Sequence, residues 1–129
     1  MSEPLVFVDT SEVREGKLEE LKTVIKDLAE FVRVNEPRPI LYNVYLSEDG
    51  TRMTVIQAHP DSASMEYHMK LAGPVFTRFV ELIKMSSLDV YGAPSDELRE
   101  QMRQKALMLG AGGLTVHELA GGFERLGAS

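Results

Sequence analysis

The spacing of the hydrophobic residues changes several times along the chain, and each change predicts a new element. Residues 5–8 form a short apolar run, which is typical of a strand buried on both faces. Between residues 18 and 32 the apolar positions recur at steps of three and four, which predicts an amphipathic helix packed by one face. Two runs at about 40–47 and 52–59 are rich in β-branched and aromatic residues. The turn between them contains Asp49-Gly50, so these two runs predict a hairpin.

The segment after the hairpin predicts two helices and a fourth strand. Asp61 and Ser62 are suitable N-caps for a helix over about 62–71, which we expect to stop at Gly73. Pro74 suits the first position of a new helix, and residues 88–92 then predict a strand. The order β-α-β-β-α-β through residue 92 is the ferredoxin-like arrangement of an α+β protein.

The C-terminal segment extends beyond that unit. Ser95 suits the N-cap of a third helix, the glycine run 110–113 ends it, and residues 114–119 predict one more strand. The apolar stripe of this helix consists of Leu98, Met102, Ala106 and Leu109. Disordered tails rarely carry so much apolar surface. We therefore predict a ferredoxin-like domain over residues 1–94 and an ordered helix and strand over residues 95–129 that pack on the same domain.

Large apolar side chains occupy both alternating positions of the first three predicted strands, so neither face of the sheet is uniformly polar. Two helices cover one face. At roughly 25 cal/mol per Å2 of apolar surface, exposing the other face to water forfeits many kcal/mol. We therefore expect a twofold homodimer packed through its sheets, with Val55 as a candidate interface residue. The C-terminal extension is the alternative cover for that face.

Composition mainly excludes classes of function. The chain has 129 residues and a net charge of −6, so binding to nucleic acid or to an anionic membrane is disfavoured. It has no cysteine, which excludes disulfides, thiolate metal sites and a cysteine nucleophile. The N-terminal residues lack the features of a secretory signal, and no apolar run approaches the roughly 20 residues that span a bilayer. A cytoplasmic location is expected.

His68, on the helix after the hairpin, is the strongest candidate for chemistry. An imidazole in a cleft between helix and sheet can act as a base, donate a hydrogen bond to a substrate carbonyl or bind haem. The alternative is that it caps a hydrogen bond in the core or faces solvent. Asn43 and Tyr45 share one face of the second strand, where they can orient an oxygenated ligand or contact a partner subunit.

Further polar and apolar residues are candidates for a small-molecule pocket. Gln57 and His59 share a face of the third strand, and polar side chains on an apolar face require a partner, whether a ligand or a dimer contact. The remaining pocket candidates are Met65, Tyr67, Phe76 and Phe79. The three histidines lack a tight ligand spacing such as His-Glu-x-x-His, so no metal site is expected.

The order of elements and several local motifs resemble the antibiotic-biosynthesis-monooxygenase-like dimeric α/β barrels. The residues that carry the resemblance are Gly16-Lys17 before the first helix, Asn35-Glu36-Pro37 after it, Tyr42, and the span from Gln57 and His59 through Asp61 to His68. In that family the third strand tends to end in Glu-x-Trp, and a helical histidine follows about nine residues later. Gln57 and His59 stand at the Glu and Trp positions. Because the chain has no tryptophan, haem degradation is disfavoured.

The resemblance implies a cofactor-independent monooxygenase that acts on an aromatic or quinol-type small molecule in a cleft between helices and sheet. In that chemistry an electron-rich substrate is deprotonated and reacts with dioxygen itself, while the protein supplies a dry pocket and a base. His68 is then the base, Asn43 and Tyr45 orient the substrate, and no cofactor or metal is needed. The alternative is a non-catalytic small-molecule-binding or stress-response dimer of the same fold.

Overall fold

A computed structural model describes residues 3–111 and 113–125. The chain forms β1 (Leu5–Val13), α1 (Leu18–Asn35), β2 (Leu41–Leu46), β3 (Arg52–His59), α2 (Ser62–Phe76), a 3-10 turn (Thr77–Phe79), β4 (Ile83–Tyr91), α3 (Asp96–Leu109) and β5 (Thr115–His117). The strands form one sheet in the order β2-β3-β1-β4-β5. The first four are antiparallel to their neighbours and β5 is parallel to β4. The predicted ferredoxin-like α+β fold is confirmed.

The elements with the strongest sequence periodicity have the predicted bounds. α1 buries Leu21, Val24, Leu28 and Val32 at steps of three and four. In the hairpin turn, Asp49 accepts hydrogen bonds from the Ser47 hydroxyl and the Thr51 backbone N–H. Gly50 adopts a φ of 73°, which a side chain would disfavour.

The predicted break between two helices at Gly73 and Pro74 is wrong. α2 continues through both residues to Phe76. Pro74 removes one backbone hydrogen bond from the helix, but Ala72 and Phe76 are buried on either side of it. Packing of this last turn against the core therefore outweighs the local signals for a break.

The fourth strand begins at Ile83, five residues before its predicted start. Its pairing with β1 shifts between Thr10 and Ser11, so that Ser86 is the extra residue of a β-bulge. The bulge reverses the alternation of the side chains along the strand. The core-facing residues are therefore Ile83, Met85, Leu88 and Val90.

Strand register assigns the side chains to two faces of the sheet. Phe7, Asp9 and Val55 point toward the helices and are buried. The expected placement of Val55 in a dimer interface is therefore wrong. The opposite side, which we call the open face, carries Val6, Val8, Asn43, Tyr45 and Ile56.

α3 lies on the same side of the sheet as α1 and α2, because it contacts α2 and its Lys105 reaches Asp9. It packs by the predicted stripe, begins at the predicted N-cap Ser95 and ends at Gly110, which has a φ of 94°. The helix of the extension therefore does not cover the open face. None of the helices in the described part of the chain has the length and apolarity that crossing a membrane requires.

Candidate functional site

His68 is held in the interior by the helix that carries it and by a carboxylate from the end of α1. Asp61 caps α2 by accepting the Ser64 backbone N–H, which fixes the start of the helix. His68 is fully buried, and its Nδ1 lies 2.9 and 2.8 Å from the two carboxylate oxygens of Glu36. Nδ1–H therefore donates to Glu36, and the neutral imidazole carries its lone pair on Nε2.

The Nε2 atom of His68 is buried without a hydrogen-bond partner within residues 3–111 and 113–125. Such an atom is rare in folded proteins and requires an explanation. Burial lowers the pKa of His68, and the Glu36 carboxylate opposes this effect without overcoming it. The imidazole is therefore neutral near pH 7. A neutral histidine oriented by a carboxylate and holding a free lone pair is the arrangement of a general base.

His59 lies next to His68, with 5.9 Å between the ring centroids, but its hydrogen bonds are already made. Its Nε2–H donates to Gln57 Oε1 at 2.9 Å, and its Nδ1 accepts from the Ser64 hydroxyl at 2.7 Å. Burial, followed by repulsion from a protonated His68, lowers the pKa of His59 to about 3. Both ring nitrogens are used within the protein, so His59 and Gln57 hold the site together rather than face a ligand.

A small cavity lies between the helices and the sheet. Its volume is about 30 Å3, which is room for about two water molecules. Most of its wall is apolar and includes the predicted pocket residues Phe76 and Phe79. The rings of Tyr42 and Phe76 line the cavity and also pack against His68, each with 5.6 Å between centroids. His68 therefore lies directly behind two cavity-lining rings.

A second buried polar pair lines the cavity. Lys105 Nζ, from α3, lies 3.4 Å from the Asp9 carboxylate and 4.5 Å from the centroid of the Phe76 ring. Burial raises the pKa of Asp9, although the nearby Lys105 ammonium acts in the opposite direction. Burial, together with the Asp9 and Glu36 carboxylates, also raises the pKa of Tyr42. The wall of the cavity thus carries one cation, one carboxyl group and one phenol, and is otherwise apolar.

Besides His68, His59 and Gln57, four more of the predicted site residues do not line this cavity. Asn43 and Tyr45, predicted to act with His68, lie on the open face, so the sheet separates them from it. Asn43 Nδ2 donates to the Tyr45 hydroxyl at 3.1 Å, and half of Tyr45 is exposed. Met65 is buried in the core. Tyr67 is exposed and lines a surface cleft beside the loop that carries Glu36.

His117 is also remote from the site. It stacks on Tyr91, and its Nε2 lies 2.9 Å from Asp89. Within the described ranges, no group of three or more histidine, aspartate or glutamate side chains is placed to hold a metal ion.

Sequence reasoning missed the polar partners of the site, which are Glu36, Asp9 and Lys105. Two of them carry a signal in the sequence. Asp9 follows Leu5 and Phe7 at alternate positions, which places it on the buried face of β1. Lys105 falls within the apolar stripe of α3, three residues after Met102. A charged residue at such a position requires a buried partner.

Solved structures share this fold. MupZ from Pseudomonas fluorescens is 20% identical, with 96% of each chain covered and a TM-score of 0.75. SnoaB, a cofactor-independent oxygenase from Streptomyces nogalater, is 18% identical, with 73% of this chain and 96% of that chain covered and a TM-score of 0.60. An antibiotic biosynthesis monooxygenase-like protein from Caulobacter crescentus is 18% identical, with 69% of this chain and 86% of that chain covered and a TM-score of 0.60. No family model and no curated protein sequence matches the chain.

These similarities confirm the resemblance to the antibiotic-biosynthesis-monooxygenase-like proteins at the level of the fold. The likeness to MupZ includes α3, because 96% coverage leaves only about 5 of the 129 residues unmatched.

Proposed function

We propose that this protein is an enzyme in which His68, oriented by Glu36, acts as the general base on an aromatic or quinol-type small molecule. The observation that carries the proposal is the buried Nε2 of His68, which is without a partner among the described residues while Nδ1 is held by a carboxylate. A histidine kept only for packing gains nothing from an unpaired buried nitrogen, which costs about 1–3 kcal/mol. A general base in its unprotonated form has this arrangement.

The reaction that we propose is cofactor-independent oxygenation, because SnoaB, which shares this fold, is a cofactor-independent oxygenase. His68 Nε2 takes the proton of a phenol, and the phenolate carbon para to that oxygen adds dioxygen. The protonated His68 returns a proton to the resulting peroxide. Loss of water then gives the quinone, so one oxygen atom of dioxygen enters the product and the other leaves as water. The phenol supplies all four electrons.

Access to His68 requires the cleft to widen. The present cavity of about 30 Å3 is smaller than an aromatic ring system, and the rings of Tyr42 and Phe76 stand between it and His68. We propose that movement of one of these rings joins the cavity to Nε2. The oxygenase proposal therefore includes a side-chain movement when substrate binds.

1-Naphthol is a suitable probe, since its oxygenation gives 1,4-naphthoquinone and water. Oxygen uptake and quinone absorbance are followed for the wild type, His68→Asn and Glu36→Gln. We expect His68→Asn to lose roughly 100-fold or more in rate, the usual contribution of a general base, and Glu36→Gln to lose less. Lys70→Met, at an exposed position of α2, is the matched control and retains the wild-type rate.

Besides a wild-type protein that does not oxidise naphthol, two outcomes contradict the proposal. One is a naphthol oxidation rate that His68→Asn leaves unchanged. The other is quinone that contains no labelled oxygen when the gas phase is isotopically labelled dioxygen. Folding of each variant is checked by its circular dichroism and melting temperature.

The second candidate is a non-catalytic small-molecule-binding or stress-response protein. The small volume of the cavity, which is less than that of an aromatic ring system, favours a protein without turnover over an enzyme. It predicts that naphthol raises the melting temperature without oxygen uptake.

We further propose that two copies pair through their open faces. Val6, Val8 and Ile56 are only half-buried there, and Tyr45 and Leu41 are exposed. α3 occupies the other side of the sheet, so within the described chain the helices leave this apolar surface uncovered. Burial of such a surface between two copies is favourable.

A further inference from the structure

The pair formed by Lys105 and Asp9 is costly for a core contact. Both side chains are more than nine-tenths buried. Removing two charges from water costs several kcal/mol per ion, and apolar residues of similar volume often replace such pairs without loss of stability. The stripe of α3 around Lys105 is otherwise apolar, so a leucine or methionine at this position would continue the packing. The pair therefore requires a reason besides stability.

The geometry leaves the ammonium of Lys105 only partly satisfied. Its contact with one Asp9 oxygen is 3.4 Å, longer than the usual 2.7–2.9 Å of a charge-assisted hydrogen bond. An ammonium has three donors, and its second neighbour is the face of Phe76. Both Lys105 and Asp9 line the cavity. The Lys105 ammonium thus lies at the wall of the cleft and has N–H donors that the Asp9 contact does not use.

We propose that Lys105 binds an anionic oxygen, carboxylate or phenolate, of an otherwise apolar ligand in this cleft, and that Asp9 takes the place of this anion in the empty protein. This inference rests on the proposed function for the identity of the cleft. It deepens that function by assigning an acidic group to the substrate. The rest of the wall, which includes Leu28, Met53 and Ile83, suits an apolar body. Burial already raises the pKa of Asp9, so this carboxyl can take up a proton when the anion of the ligand replaces it.

The test measures binding and not turnover. 1-Naphthoate and its uncharged analogue 1-naphthamide are titrated calorimetrically into the wild type, Lys105→Met, Asp9→Asn and the exposed control Lys70→Met. We expect Lys105→Met to bind naphthoate roughly 10- to 100-fold more weakly, the loss of one hydrogen bond to a charged group. Naphthamide affinity should change by less than about 3-fold, and Lys70→Met should match the wild type in both.

Asp9→Asn distinguishes the proposal from a purely structural role of the pair, because only the proposal predicts tighter binding of naphthoate to this variant. Removing the competing carboxylate leaves Lys105 without an internal anion, so naphthoate should bind at least about 5-fold more tightly than to the wild type. The double variant Asp9→Asn with Lys105→Met removes both charges together. It is expected to fold and to bind naphthoate as weakly as Lys105→Met alone.

The proposal is overturned if Lys105→Met and Asp9→Asn shift naphthoate affinity equally and in the same direction. It is also overturned if neither the wild type nor Asp9→Asn binds naphthoate at millimolar concentration. His68→Asn separates this test from that of the proposed function, since it should retain naphthoate binding. Binding that depends on Lys105 in a protein that does not oxidise naphthol would remove the oxygenase proposal and leave this one standing.

Discussion

Replacement of His59 by glutamine is expected to remove a large part of the sensitivity of this protein to mild acid. His59 is fully buried and holds Gln57 and Ser64 through its two ring nitrogens. Its pKa in the folded protein is about 3, below the ordinary value of 6.5. Between these values the unfolded chain binds a proton that the folded chain does not, so stability falls as the pH falls through this range.

The magnitude follows from the size of the shift. Each pH unit below 6.5 lowers the free energy of unfolding by about 1.4 kcal/mol until the folded pKa is reached. Between about pH 7.5 and about pH 5, His59 alone therefore removes about 2 kcal/mol. Burial also lowers the pKa of His68, which adds to the loss in the same direction. A loss of this size is a large fraction of the 5–15 kcal/mol that is typical of a folded domain.

Urea titrations at both pH values, at one protein concentration, measure the free energy of unfolding of the wild type and of His59→Gln. The substitution itself can destabilise the protein at both pH values, so the relevant quantity is the difference between the two pH-dependent losses. We expect the loss in the variant to be smaller by about 2 kcal/mol. Equal losses in the two proteins would show that His59 is protonated in the folded state, and would refute the assignment of its hydrogen bonds.

Two further predictions concern the open face and the extension. Val8→Lys should convert a dimer into monomers in light scattering, because it places a charge in the proposed interface, whereas Val55→Lys should unfold the protein from inside the core. A Val8→Lys protein that remains dimeric would exclude the open face as the interface. Truncation after Pro94 should lower the melting temperature or abolish folding, because it removes the buried Leu98 and Met102. An unchanged melting temperature would contradict the observed packing of α3.

Segments with a regular hydrophobic period could be predicted from the sequence, because the burial of their side chains and their local conformational preferences favour the same structure. α1 has a strong apolar period and the hairpin has a suitable turn, and the bounds of both match the prediction closely. The region from Gly73 to Leu88 was not predictable in the same way. There the burial of Phe76 overrides the helix-breaking residues before it, and the bulge at Ser86 interrupts the alternation that identifies a strand.

The candidate site was predictable only in part, because its contacts join distant parts of the sequence. His68 could be found as a lone histidine on a helix above the sheet. Its partner Glu36 lies 32 positions earlier, and Lys105 lies 96 positions from Asp9. The spacing of buried residues along a helix or strand shows which way a side chain points, but it does not identify the residue that the side chain contacts. Whether Asn43 and His68 lie on the same side of the sheet could be decided only from the register of the strands.

The two buried pairs connect the stability of the fold with the contents of the cleft. Glu36 and His68 join the end of α1 to α2, while Asp9 and Lys105 join β1 to α3. Removing one member of either pair leaves a buried polar or charged group unpaired, which costs more than removing both. Single substitutions therefore change stability and ligand binding together. Paired neutral substitutions such as Asp9→Asn with Lys105→Met separate the two effects, because they keep the packing of α3 and remove the charge from the cleft.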